Sequence, residues 1–418
     1  MNCKQFYYGI MMMVFCFMQI PVTSAAQADS VRVTWPLSAD AVTYELEITD
    51  QYFPAGNTAA PESHRIEDST VPTPGAQIPL HFKQNVDKLW WRVRALDVSG
   101  QPITDYSESQ RLSKGEMDAE SPLPLTTYPD DAAVPLYPAY SWVAVPGAAG
   151  YDVEILNVPL DDTENSWPRQ RIERIHVDGG DSFDSYDWHS YATDGTYYWR
   201  VRAVDSEGQS IGKWSPVTAF TVSTQGYSIA ALGDSITHGG GAISSPPGTP
   251  LYDWTQSVTL PVKNLGKSGD TTEAILERFD QDVLPFHPKI LIIAGGINDI
   301  RDGDDASQII SNLRALRQKC LDFHITPVFV TLAPINPPRI AIMIGQPLPP
   351  QWKNNWQAVN GWILAQPNAV DTVSLLKNRQ GLLPDRLSAD GLHPDSEGKR
   401  LIGQAVSRKL YELQYLLQ

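Results

Sequence analysis

Four short stretches of this chain carry side chains that can do chemistry together. Ser235 follows Gly233-Asp234 and stands where a helix is expected to start, so free N–H groups beside its hydroxyl favour a developing anion. In Asn264-Leu265-Gly266-Lys267-Ser268-Gly269-Asp270, Gly266 has no Cβ to keep a ligand from its backbone N–H. Gly295-Gly296-Ile297-Asn298-Asp299 presents the Asn298 amide, and Asp390-Gly391-Leu392-His393-Pro394 sets an acid and an imidazole about one turn apart. A serine hydroxyl is almost fully protonated at neutral pH and attacks a carbonyl only when a base removes its proton. His393 is the candidate base, with Asp390 holding its tautomer and stabilising the imidazolium. The Ser235 N–H, the Gly266 N–H and the Asn298 side chain are then the candidate donors to a tetrahedral oxyanion. That set is the equipment of acyl transfer.

The elements that must position these residues begin at Tyr227, where short apolar runs alternate with helical patterns, as βαβ units do. Strands are expected at Ser228–Leu232, Val262–Leu265, Ile290–Ala294, Val328–Leu332 and Val370–Val373, and helices at Thr272–Asp282, Ala306–His324, Trp352–Leu364 and Ser396–Leu416. This predicts a three-layer α/β/α domain over residues 227–418. Open α/β sheets gather reactive groups beyond the carboxyl ends of their strands, and the first three blocks follow expected strands.

This part of the chain resembles the SGNH (GDSL-type) esterase and acylhydrolase superfamily. Ser235 falls in the Gly-Asp-Ser block, Gly266 in the second block, Asn298 in Gly-x-Asn-Asp, and Asp390 with His393 in Asp-x-x-His, all in order. The resemblance implies a flavodoxin-like sheet and hydrolysis through an acyl-enzyme, with no metal and no cofactor. Two stretches depart from the pattern. His238 to Pro250 is rich in Gly and Pro where many members begin a helix directly, so the first helix is expected to be shortened or displaced and the entrance reshaped. The Pro-rich insertion Ala333 to Gln351 leads into Trp352 and Trp356, which either wall an acyl or sugar pocket or, being four apart, pack a helix on the sheet.

Upstream, the chain matches itself at an offset of about 108: Trp35 and Tyr44 align with Trp142 and Tyr151, Trp91-Arg92-Val93-Arg94-Ala95 with Trp199-Arg200-Val201-Arg202-Ala203, and Tyr106-Ser107 with Trp214-Ser215. Period-two alternation and the absence of long helical periods make each copy a β-sandwich, with Trp and Val on one strand face and Arg on the other. Both copies resemble bacterial fibronectin type III domains, the second more closely through Ser141 to Tyr151. The expected organisation is therefore two all-β sandwiches, residues 29–113 and 132–223, joined by a stiff Pro-rich acidic linker at 114–131 and followed by the α/β/α domain. Most Trp and Tyr of the sandwiches are expected in their cores.

The chain has 418 residues, enough for several domains, and 42 % hydrophobic residues, which excludes global disorder. Lys4, the apolar run Tyr7 to Met18 and Ala26-Gln27-Ala28 read as a secretory leader, residues 1–28, that is too short to span a bilayer. An uncleaved anchor is the alternative. Without Lys4 the charge balance is 31 − 48 = −17, which repels phosphate backbones, so nucleic acid is not an expected partner. Cys3 and Cys16 leave with the leader, and Cys320, at helical spacing among apolar residues, is expected as a buried small hydrophobe.

Several decoys carry less. Gly208-Gln209-Ser210-Ile211-Gly212 fits a nucleophile-elbow pattern but follows a sandwich strand and precedes no helix. His238, three residues from Ser235, suits a place at the pocket mouth or an exposed one better than the role of base. Asp234 and Asp299 are expected as hydrogen-bonding supports, and Asp302 to Asp305 as a solvated loop rather than a calcium site. His64, His81, His176, His189, His287 and His324 form no close pair, so a zinc site is not expected. The reading is a secreted esterase for an ester substrate such as an acylated polysaccharide. A lysophospholipase or thioesterase with the same groups, and a non-catalytic binding protein, are the alternatives.

Overall fold

The computed structural model describes residues 30–80, 85–113, 121–160, 169–243 and 249–417; the leader region lies outside them. Among the described residues no helix is long and apolar enough to cross a membrane.

The duplicated sequence folds into two β units with one shared register. In the first, Ile48 faces Trp91, Leu46 faces Val93 and Tyr44 faces Ala95 across Thr43–Thr49 and Trp90–Leu96. In the second, Ile155 faces Trp199, Val153 faces Val201 and Tyr151 faces Ala203 across Gly150–Leu156 and Gly195–Val204. The separate antiparallel pair Ser30–Thr34 and Gly75–Pro79 closes the first core, and Asp184–Tyr186, Ala139–Val143 and Leu123–Pro124 form a second sheet in the other unit. Ser107 and Ser215, matched in the two copies, accept hydrogen bonds from Val93 N and Val201 N at 3.1 and 3.0 Å.

Two expectations are corrected here. The first arginine of each Trp-Arg-Val-Arg-Ala run is not on an open face: Arg92 and Arg200 are buried, each paired with a buried glutamate, Glu47 at 2.7 Å and Glu154 at 2.8 Å. The repeat-matched aromatics Tyr106 and Trp214 lie over the two guanidinium groups at 4.2 and 4.3 Å, shielding the pairs from water. The described part of the expected linker, residues 121–131, is built into the structure. Leu123 and Pro124 pair with Val143 and Trp142, Ser121 O accepts from Arg32, and Tyr128 Oη donates to Ala139 O. Proline at a short edge strand costs no ladder bond, so the composition that suggested a spacer is compatible with a strand.

The C-terminal sheet has five parallel strands: β1 Ile229–Gly233, β2 Lys263–Gly266, β3 Ile290–Ala294, β4 Thr326–Val330 and β5 Ala369–Val370, in the order β2-β1-β3-β4-β5. The continuous apolar runs of β1 and β3 bury both faces of the sheet's centre. Ala230, Leu232, Leu291 and Ile293 point into one core, and Ile229, Ala231, Ile290 and Ile292 into the other. The helices are α1 Ser235–His238, α2 Thr272–Glu277, α3 Phe279–Val283, α4 Ile297–Asp302, α5 Ala306–Asp322, α6 Pro337–Met343, α7 Trp352–Leu364, α8 Val373–Leu376 and α9 Ser396–Glu412. Cys320 is fully buried in the core, where burial pushes its thiol up to about 12. Helix α6 arises inside the Pro-rich insertion, because prolines at the first helical positions need no N–H partner.

The β units are bound to this domain. Leu136 N donates to Asn264 O at 2.9 Å and Tyr137 Oη to Asp282 at 2.6 Å. Asp40 of the first unit, at φ 60, accepts from Ser396 N and Oγ at 3.0 and 2.9 Å, so a side chain from another unit caps α9.

Candidate active site

Ser235 opens α1 directly after β1. The turn is tight because Gly233 has no side chain: a Cβ there would meet Ala294 O at 2.3 Å and Thr237 Oγ1 at 2.4 Å. Asp234 caps α1 through Oδ1, which accepts from Ile236 N at 3.0 Å, and burial pushes its carboxyl up to about 6. As expected from the Gly-rich sequence, α1 is a single turn, ended by Gly239 at φ 114. Gly240 then passes so close that a Cβ would lie 3.3 Å from His393 Cδ2 and 3.6 Å from Ser235 Cβ. Beneath α1, buried Lys399 donates from Nζ to Ile236 O, and burial lowers its pKa to about 8.

The structure brings Ser235, His393 and Asp390 into one relay. Ser235 Oγ is 2.9 Å from His393 Nε2, and His393 Nδ1 is 2.6 Å from Asp390 Oδ2. Asp390 Oδ1 accepts from Leu392 N and His393 N at 2.7 and 2.8 Å. Burial raises the Asp390 carboxyl, but the His393 ring and these hydrogen bonds outweigh it and hold the group below the ordinary carboxylate range. An ionised Asp390 accepts from Nδ1–H, which leaves Nε2 as the acceptor facing the hydroxyl.

The oxyanion donors need one correction. The Gly266 N–H donates to Asn264 Oδ1 at 2.9 Å and is not available to a ligand. Gly266 lacks a side chain for a packing reason, since a Cβ would sit 2.3 Å from His238 N. Gly269, three residues on, has φ 86 and an N–H with no hydrogen bond among the described residues, as has the Ser235 N–H. The Asn298 side chain is oriented by Arg301, which donates to Oδ1 at 3.3 Å, and by one bond from Nδ2 to Asp270 O at 2.9 Å. The second Nδ2 hydrogen has no acceptor among the described residues. Sequence reasoning chose Gly266 and passed over Gly269; what marks Gly269 is a positive φ, a backbone conformation that glycine adopts readily and that shows only in the folded chain.

Residues 231–401 match the GDSL-like Lipase/Acylhydrolase family. The C-terminal domain belongs to that family of ester hydrolases. Among solved structures, this acylhydrolase domain is similar to the lipase/acylhydrolase from Enterococcus faecalis, at 23 % identity over 44 % of this chain and 95 % of that one, with a TM-score of 0.36. A GDSL-like lipase from Bacteroides thetaiotaomicron matches at 18 % identity over 44 % and 88 %, TM-score 0.36. An acetylxylan esterase from Geobacillus stearothermophilus matches at 22 % identity over 44 % and 93 %, TM-score 0.34. No curated protein matches the chain.

The remaining candidates of the acylhydrolase domain fall elsewhere. His238 is neither exposed nor at a pocket mouth. It is fully buried, with Nε2 2.5 Å from Tyr137 O and Nδ1 accepting from Ser268 N at 3.0 Å. A carbonyl partner requires Nε2–H, so the ring is neutral and both nitrogens are engaged, which excludes it as the base. Trp352 and Trp356 do not stand free: they pack on a small apolar cluster of Ile297, Ile335, Ile340 and Leu392, and Trp356 Nε1 donates to Ala333 O at 3.0 Å. That cluster supports the neighbours of Asn298 and His393. Asp299 accepts from Thr272 N and Oγ1 and caps α2. Ser210 is exposed on the two-residue strand Ser210–Ile211, far in fold from any helix start. A cavity of about 440 Å³ beside His324 and Pro327 lies at the opposite, amino-terminal end of β4 and has no part in the relay.

Sequence reasoning missed Arg278. Its guanidinium bonds Asp270 Oδ2 at 2.5 Å, Leu265 O at 2.8 Å, Asp282 Oδ2 at 3.0 Å and Gly233 O at 2.9 Å. One side chain thus ties the ends of β1 and β2 to the loop bearing Gly269.

His238 predicts a pH effect. Burial lowers its pKa to about 4 from an ordinary 6.5, so the folded protein holds no proton there while the unfolded chain does below 6.5. Its contribution is fully present above pH 6.5 and is lost as pH falls toward 4, amounting to about 3 kcal/mol. Denaturant unfolding of wild type and His238→Gln at pH 7.5 and 4.5 is expected to show a smaller acid-induced loss in the variant. Equal losses would contradict the assignment.

Proposed function

We propose that the chain is a secreted serine esterase that removes short acyl groups, acetyl above all, from a carbohydrate through an acyl-enzyme. The observation that carries the mechanism is the continuous relay from Ser235 Oγ through His393 to Asp390 at 2.9 and 2.6 Å. In this reading the Ser235 proton passes to His393 Nε2 as Oγ bonds the ester carbon. The Ser235 N–H, the Gly269 N–H and Asn298 Nδ2 receive the oxyanion. Collapse returns the proton to the leaving alkoxide, and water then releases the acid by the same steps in reverse order of partners.

A short acyl group is supported by Gly240, which passes so close to the Ser235–His393 pair that a Cβ on it would lie 3.3 Å from His393 Cδ2 and 3.6 Å from Ser235 Cβ, narrowing the surroundings of the nucleophile. Export belongs to this proposal through Lys4 and the apolar run Tyr7 to Met18.

The test is a series of p-nitrophenyl esters from acetyl to long acyl chains. The expected result is kcat/KM highest for acetyl and falling at least about tenfold by octanoyl, since a chain that cannot be enclosed forfeits its positioning. Activity confined to long chains would replace this reading by a lipase-like one, and no hydrolysis of any ester would leave the binding-protein alternative.

A further inference from the structure

One aromatic plane with no part in the relay is joined, through one intervening ring, to the helix that Ser235 begins. Trp188 follows the strand Asp184–Tyr186 of the second β unit and remains 50 % exposed, whereas Trp142 and Trp199 of the same unit are fully buried. Its ring stacks on Tyr186 at 5.4 Å and 9°, and Tyr186 in turn meets the His238 ring edge-on at 6.1 Å. His238 ends the same one-turn helix that Ser235 begins. Lys267, between Gly266 and Gly269, brings its Nζ to 5.8 Å from the Trp188 ring and 4.6 Å from the Tyr137 ring. Among the described residues that ammonium has no carboxylate within ion-pair distance.

We propose that the second β unit supplies part of the substrate site: Trp188, backed by Tyr186, is the platform for the pyranose ring that bears the ester, and Lys267 donates to an oxygen on that ring. The inference rests on the ester-hydrolase reading above and names its leaving-group side. A rigid aromatic face packs against the C–H face of a sugar at little cost in side-chain entropy, and an ammonium offers three donors to hydroxyl or carboxylate oxygens. A flat ring bordered by a cation gives a saccharide both contacts it needs and gives an alkyl chain only one. Placement supports the same occupant: through Tyr186 and Lys267 the plane is held against the elements that carry Ser235 and Gly269.

The test uses the full chain carrying Ser235→Ala, which cannot turn over, titrated calorimetrically with an acetylated xylo-oligosaccharide and with an acetylated oligosaccharide bearing uronate. Adding Trp188→Ala is expected to weaken binding about tenfold, and adding Trp188→Phe, which keeps a plane, about threefold or less. Lys267→Gln weakens both sugars if it meets a hydroxyl and the uronate alone if it meets a carboxylate. With Ser235 restored, Trp188→Ala is expected to lower the ratio of kcat/KM on the acetylated oligosaccharide to that on p-nitrophenyl acetate by about tenfold. Unchanged Kd in the Trp188→Ala background, or no binding of either sugar by the parent, overturns the platform. Failure of wild type to hydrolyse p-nitrophenyl acetate sinks the hydrolase reading instead, so the two failures are distinguishable.

Discussion

Ser235→Ala and His393→Ala are each expected to lower kcat on p-nitrophenyl acetate by about 10⁴-fold or more, and the double variant is expected to be no worse than either alone. The reason is geometric. Ser235 Oγ and His393 Nε2, 2.9 Å apart, make one proton-transfer unit, so removing either member removes the whole of it. The oxyanion donors persist in all three variants and leave a residual rate. Two independent losses that multiply would show that the residues act separately, and activity equal to wild type in either single variant would end the assignment. Neither substitution is expected to unfold the chain, because Ser235→Ala and His393→Ala remove side chains from the rim of the site without opening a core.

Arg278→Met is expected to destabilise the protein by about 3–5 kcal/mol, because it leaves two buried carboxylates without their cation. The Arg278 side chain is 9 % exposed, as is Asp270, and Asp282 is fully buried. The Gly233 and Leu265 carbonyls lose donors as well. Thermal unfolding should shift down by on the order of 10 °C. Arg278→Lys is not expected to rescue it, since one ammonium cannot reach four acceptors spread over two strand ends, a loop and α3. The same substitution should cost activity before it costs folding, because the loop carrying Gly269 loses its anchor. A melting temperature within a degree or two of wild type would contradict the role given to Arg278.

Much of the α/β domain was legible because its signals are local. Apolar runs marked β1 and β3 to within a residue, and helical spacing marked α5, α7 and the start of α9. The four reactive blocks were legible because each sits next to a strand end or helix start that the sequence announces. The departures have a common cause. Burial of Arg92 and Arg200 depends on glutamates in a neighbouring strand, and the engagement of His238 depends on the Tyr137 carbonyl of another unit. Gly266 and Gly269 could not be told apart by type; the Asn264 side chain and a positive φ separate them.

Residue type and order alone were enough to establish a duplicated β region, a parallel α/β domain and an alcohol, an imidazole and a carboxylate suited to ester chemistry. These follow from periodicity and from the few side chains able to share a proton at neutral pH. Which glycine offers its N–H, which histidine is a strut, that Tyr186 of the second β unit meets His238, and that Asp40 of the first caps α9 became visible only in the folded chain. Contacts of that kind join residues far apart in sequence, and no local pattern encodes a distance between two elements that meet only after each has formed.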